Sequence, residues 1–172
     1  MTLISATQRL DPWRWLGLPS LICIAATVVF ATPVKIFGLQ APEPVFPIAL
    51  AFAWAVIRPS VLAPFALLAL GLFLDVFWGG PVGLWPLSLL AAYATIVSVR
   101  RVLSGLGWWG LGAWYLVAAA VAMGAGLTVT VLTASNAPSL IGIGWQYLAS
   151  LALFPFAHRL IQRFEDADVR FR

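Results

Sequence analysis

The chain has 172 residues, 62% of them hydrophobic and 9% charged, with a mean hydropathy of +0.98. A soluble domain carries about a quarter charged residues and keeps its apolar positions in stripes, so this composition excludes a soluble enzyme, a nucleic-acid binder and a disordered linker. The net charge of +4 comes from basic residues scattered in ones and twos between apolar stretches, a pattern of membrane topology rather than of a nucleic-acid surface.

A helix needs about 20 apolar residues to cross the ~30 Å hydrocarbon layer of a bilayer. Six stretches are candidates, so the expected fold is all-α: a polytopic membrane protein, with residues 1–172 forming a single transmembrane helical domain. The first predicted helix covers 15–37, with Pro33 near its end. It holds Cys23, the lone cysteine, which has no intrachain partner for a disulfide or a thiolate metal site. A signal peptide ending at Val29-Phe30-Ala31 is the less favoured reading, because the apolar stretch is too long for a usual h-region.

The second helix, 45–57, follows Pro42-Glu43-Pro44 and ends at Arg58-Pro59. It spans only roughly 20 Å, so it must thin the bilayer, be shielded by neighbours, or enter without fully crossing. The third covers 61–77 and the fourth 81–99, followed by Arg100 and Arg101. The fifth covers 109–133. The sixth covers 140–161, where Pro155 is expected to kink it and His158 to sit at the interface rather than carry protons. The tail 165–172 mixes both signs and reads as a short frayed end.

Six crossings place Arg9, Arg14, Arg58, the Arg100-Arg101 pair and the four arginines after residue 158 on one side, against Lys35 alone on the other. Short loops rich in basic residues stay in the cytoplasm, so both termini are expected there. Dropping the short second span would put Arg100 and Arg101 on the side opposite the N-terminus, and the asymmetry would largely disappear. Tryptophans favour the headgroup level and fit the same frame: Trp13, Trp15, Trp108, Trp109 and Trp114 on the inner side, Trp78, Trp85 and Trp145 on the outer, and Trp54 one turn from Arg58.

Chemistry inside a membrane needs polar groups, and these are scarce. Asp75 is the only acid within an apolar run; at the bilayer centre its charge would cost about 2.5 to 3.5 kcal/mol, which favours a place near the outer end of helix three. There it is either solvated, or accepts backbone hydrogen bonds in the turn, or holds that turn in a shape a partner recognises. The turn, Gly79-Gly80-Pro81-Val82-Gly83, joins two helices tightly, with glycines free to take positive φ and a proline set to start the next helix. Arg58-Pro59 closes helix two, the arginine favouring its C-terminal dipole and the proline stopping it; a topogenic role explains the pair as well as a binding one.

Small residues at four-residue spacing, Ala118, Ala122, Gly126 and Thr130 in helix five and Ser88, Ala91 or Ala92, Thr95 and Ser98 in helix four, read as packing faces or as a docking face for another membrane protein. No hydrolase, nucleotide-binding or metal-ligand motif occurs, so no catalytic, cofactor-binding or metal residue is expected and the chain is not read as an enzyme. Polar lining suited to a channel is also scarce.

From Pro47 to Arg101 the order is a proline in a short helix, Trp54, Arg58-Pro59, Gly71-Leu72-x-x-Asp75, Gly79-x-Pro81-x-Gly83-Leu84, and an alanine-rich helix ending in paired arginines. This resembles the MreD family of bacterial rod-shape-determining membrane proteins in motif order and total length. It departs at Trp85-Pro86, where a less bulky helix start is expected. The resemblance implies a non-enzymatic scaffold subunit of the cell-elongation (peptidoglycan synthesis) machinery, binding MreC and working with RodA, a class B penicillin-binding protein and, indirectly, the MreB filament. The family is similar in fold to the substrate-binding membrane subunits of energy-coupling-factor vitamin transporters, which supply the alternative function. Such a subunit needs a pocket opening outward, and the outer loops offer Gln40, Glu43, Trp78, Asn136, Trp145 and Gln146.

Overall fold

The computed structural model describes residues 13–31, 35–36, 39–40, 43–57, 60–103, 105–133 and 139–169. Arg58 and Pro59 lie outside the described residues. A π-helical turn, Trp13–Gly17, leads into α1, Leu18–Phe30. Two short strands, β1 (Lys35–Ile36) and β2 (Leu39–Gln40), pair antiparallel with Ile36 opposite Leu39. Six more helices follow: α2 Phe46–Ile57, α3 Leu62–Trp78, α4 Leu84–Leu103, α5 Trp108–Thr133, α6 Leu140–Leu151 and α7 Phe154–Val169. Among the described residues the architecture is therefore helical apart from one two-residue ladder.

The short helix α2 is the centre of the bundle. Val45 and every residue from Ile48 to Ala55 are fully buried, and α2 touches each of the other six helices. Of the three ways in which so short an apolar helix can be accommodated, shielding by neighbours is the one observed. Its sequence alternates bulk and alanine, so large side chains such as Phe52 and Trp54 fill gaps while Ala49, Ala51, Ala53 and Ala55 let neighbours approach. Phe52 meets Tyr115 of α5 edge to face at 5.2 Å, and Trp54 meets Trp15 at 6.4 Å.

The outside of the bundle is apolar as well. Along α3 the outward positions Leu62, Phe65, Leu68, Leu72 and Val76, three or four residues apart, are all exposed. Water would be a poor solvent for such a stripe; lipid suits it. Among the described residues α4 and α5 are long and apolar enough to cross a membrane, and 39% and 28% of their most apolar 18-residue windows are buried in the bundle. Between them the small faces close the gap. Ser88 and Ala92 of α4 and Ala118, Ala122 and Gly126 of α5 are buried, and a Cβ on Gly126 would stand 3.0 Å from Ser88 Oγ. These stripes pack the bundle internally.

Several boundaries differ from expectation. The first helix stops at Phe30 instead of residue 37, because Pro33 lacks an N–H and disfavours helical backbone before it. The fourth starts at Leu84 instead of residue 81, since Gly83 takes φ +98° and the turn consumes the residues before it. It also runs on through Arg100 and Arg101, which lie in its last turn rather than in a loop, where cations complement the helix dipole. The expected sixth helix is two helices. Pro155 cannot bond the carbonyl of Leu151 and its ring crowds that carbonyl, so the chain breaks at Ala152–Leu153 rather than merely kinking. Beyond the break, α7 stays helical to Val169, covering much of the segment expected to fray.

Candidate functional site

The α3–α4 turn is built around Asp75. At the end of α3 the Asp75 carbonyl accepts the N–H groups of Gly79 and, at 3.0 Å, of Gly80, while Gly79 reverses the chain at φ +65°. The Asp75 side chain points the other way. Gly83 N–H donates to Oδ2 at 2.6 Å and Trp85 N–H donates to Oδ1 at 2.9 Å. Both are orphan donors at the start of α4, a helix whose own sequence offers no Ser, Thr, Asp or Asn at its first positions. The cap comes from the preceding helix instead, and the positive end of α4 faces the carboxylate.

Gly71 explains why the cap reaches. It stands one turn before Asp75 on the same face, and a Cβ there would lie 2.4 Å from the backbone nitrogen of Pro86. Only glycine lets the first turn of α4 come this close. Pro86 fits because the third helical position has no intrahelical acceptor for an N–H anyway. Trp85, buried, meets Trp78 with ring centroids 5.1 Å apart and planes tilted by 58°. The Trp85-Pro86 pair, unexpected as a helix start, thus packs against α3. Asp75 is 2% exposed, whereas Val76 and Val82 beside it are each 82% exposed. The carboxylate shapes the turn and the valines form its surface. Of the other residues singled out in the turn, Gly79 is exposed and Gly80 and Pro81 are half-buried.

The expectation that Arg58-Pro59 closes α2 falls outside the described residues; among those described, the Arg100 guanidinium reaches the end of α2. Its Nε donates to the Val56 carbonyl at 3.2 Å and its Nη2 to the Ile57 carbonyl at 3.0 Å. At the other end of α2, Val45 N–H donates to Ser150 Oγ at 3.1 Å; that hydroxyl donates onward to the Gln146 carbonyl, and Tyr115 donates to the Ser150 carbonyl at 2.8 Å. A helix buried on all sides must have its terminal backbone groups satisfied by neighbours, and Val45 N–H and the Val56 and Ile57 carbonyls are. Ser150 is the eleventh residue of α6, so α2 begins roughly 15 Å along that helix rather than level with its start.

Trp108, Trp109 and Trp145 are exposed, Trp78 and Trp114 are half-buried, and Trp15, Trp54 and Trp85 are buried in the bundle. His158 is half-buried against Trp108, ring centroids 4.5 Å apart, and its Nδ1 is buried without a partner among the described residues. Two cavities open at the end of the bundle opposite Asp75, one of about 980 Å³ beside Arg100 and His158 and one of about 400 Å³ beside Tyr115 and Phe154. No family model, no curated protein and no solved structure matches the chain.

Proposed function

We propose that the chain is a non-enzymatic scaffold subunit of the bacterial cell-elongation complex, of the MreD type, which presents the α3–α4 turn to MreC. The observation that carries this reading is the buried Asp75 carboxylate bonded to Gly83 and Trp85 N–H. The resemblance falls on Gly71, Asp75, Gly79, Pro81 and Gly83, and of these Gly71, Asp75, Gly79 and Gly83 have a geometric reason to be what they are. Their joint effect is a rigid turn with an exposed apolar tip, Val76 and Val82, suited to contact with another membrane protein. RodA and a class B penicillin-binding protein, with the MreB filament behind them, follow from the resemblance alone.

The proposal includes six crossings of the inner membrane with both termini in the cytoplasm. The basic residues support it, and so does the contact of Arg100 with the end of α2, which brings two of the expected inner loops to one end of the bundle. The test is a pull-down from native membranes with the tagged full-length chain, scoring MreC against energy-coupling-factor ATPases. MreC in the eluate supports the scaffold; the ATPases, or a stoichiometric vitamin-sized ligand in native mass spectrometry, would replace it with the transporter reading.

A further inference from the structure

The last apolar segment is two helices with different neighbours. α7 packs mainly on α2, with Ala157 and Ile161 buried, while α6 lies mainly along α5. Of the α6 side chains described, Ser150 alone is buried. Between the two helices the backbone ladder is interrupted: Pro155 has no N–H for the Leu151 carbonyl, and the Phe156 N–H turns to the Leu153 carbonyl at 3.0 Å. A backbone without its ladder bonds is where a helix can turn. The cavity of about 400 Å³ lies against Leu151 and Phe154, the residues flanking this break, so rotation there has open space beside it.

α6 is fastened at two places of unequal strength. Near the break Ser150 is tied twice: its hydroxyl accepts the Val45 N–H at 3.1 Å, and its carbonyl accepts the Tyr115 hydroxyl at 2.8 Å. Both bonds are buried, and breaking either leaves a buried donor without a partner. One turn outward, the Tyr147 hydroxyl donates to the Leu116 carbonyl at 3.1 Å, and this bond is exposed. The Leu116 carbonyl lies inside α5 and keeps its own ladder bond from Ala120 when Tyr147 lets go. The released hydroxyl sits on an amphipathic ring two residues from the exposed Trp145 and can turn to the membrane surface.

We propose that α6 is a hinged half-helix that swings from α5 about Ala152–Leu153, with Ser150 as its pivot and the Tyr147–Leu116 bond as its latch. In the closed position Tyr147 holds α6 on α5. In the open one the seam between α5 and α6 widens and joins the cavity beside Tyr115 and Leu151, giving that cavity an entry from the bilayer. α7 stays in place, because Ala157 and Ile161 anchor it in the core. The inference rests on the membrane placement and not on the partner proposed above.

The experiment is double electron–electron resonance on the full-length protein in lipid nanodiscs, with spin labels on cysteines that replace exposed residues in a Cys23→Ala background. One pair, Ile141→Cys with Leu87→Cys, spans α6 and α4; the control pair, Phe156→Cys with Leu87→Cys, spans α7 and α4. Two distances are expected for the α6 pair and one for the α7 pair. Tyr147→Phe should change the ratio of the two α6 distances about fivefold in favour of the open one, the worth of one ordinary hydrogen bond. Pro155→Ala, which supplies the missing donor and joins α6 to α7, should leave one distance. A single distance for the α6 pair both with Tyr147 in place and in Tyr147→Phe would overturn the proposal, and so would two distances in the α7 pair. Two undiminished α6 distances in Pro155→Ala would overturn the hinge at Ala152–Leu153. The comparison of the two pairs with Tyr147 and Pro155 in place stands even if a variant fails to fold.

Discussion

Trp85 and Asp75 stand ten residues apart on different helices and meet through one hydrogen bond, from the Trp85 backbone N–H to Asp75 Oδ1 at 2.9 Å. Together with the Gly83 bond it makes Asp75 the N-terminal cap of a helix it does not belong to. Charge-assisted bonds of this kind are each worth about 1.5 to 3 kcal/mol when buried. Asp75→Leu removes both acceptors and should insert normally while loosening the turn; Asp75→Asn keeps one oxygen and should retain part of the geometry. Amide hydrogen exchange at Gly83 and Trp85 checks this, with protection falling in the order native, Asn, Leu.

Gly71→Ala should be more damaging than its size suggests. The added methyl meets the Pro86 backbone, which cannot rotate away, so α3 and α4 must separate. Overpacking of this kind costs about 1 to 3 kcal/mol, which in a chain of this length lowers the melting temperature by roughly 2 to 12 °C. Gly126→Ala, facing the movable hydroxyl of Ser88 at 3.0 Å, is the milder comparison. Thermal melts of the two purified variants give the order.

Gly83→Leu should also weaken the turn, but through the backbone. Nothing lies within 4 Å of a Cβ at Gly83, so steric blockage is not the cause; φ +98° is a conformation that leucine adopts only with strain. Gly83→Asn, which tolerates positive φ better, should therefore destabilise less than Gly83→Leu, and their relative melting temperatures check it.

Ser150→Ala and Arg100→Lys test the two ends of α2. The first leaves the buried Val45 N–H without an acceptor, and the second replaces a fork spanning two carbonyls with a point donor. Each should cost about 1 to 3 kcal/mol. The expected readout is a lower melting temperature for both, with membrane insertion unchanged.

The helices were legible where apolar runs are bounded by strong breakers. Predicted spans 45–57, 61–77 and 109–133 agree with α2, α3 and α5 to within one residue at each end. The Asp75 turn was legible too, because a carboxylate and three glycines in ten residues is a local pattern. What the sequence hid is long-range. Val45 and Ser150 are 105 residues apart and Arg100 and Val56 are 44 apart, and no periodicity connects them. From sequence alone Arg100 therefore carries only a topology signal. Hydropathy does not distinguish the β1–β2 strand pair from the end of an apolar helix, so the sequence does not announce it.

The topology can be checked separately. Reporter fusions in the 134–138 loop and after Arg172 should give a periplasmic signal from the first and a cytoplasmic one from the second, because the basic residues cluster on one side of a six-crossing chain. The reverse pattern at either site contradicts six crossings.

The central claim is that the Asp75-held turn is what MreC recognises. The most direct measurement is co-purification of MreC with the native chain and with Asp75→Leu, both at native expression and equal membrane abundance. The account predicts several-fold less MreC with Asp75→Leu, in cells that become rounded. Equal MreC recovery and full restoration of rod shape by Asp75→Leu would contradict it.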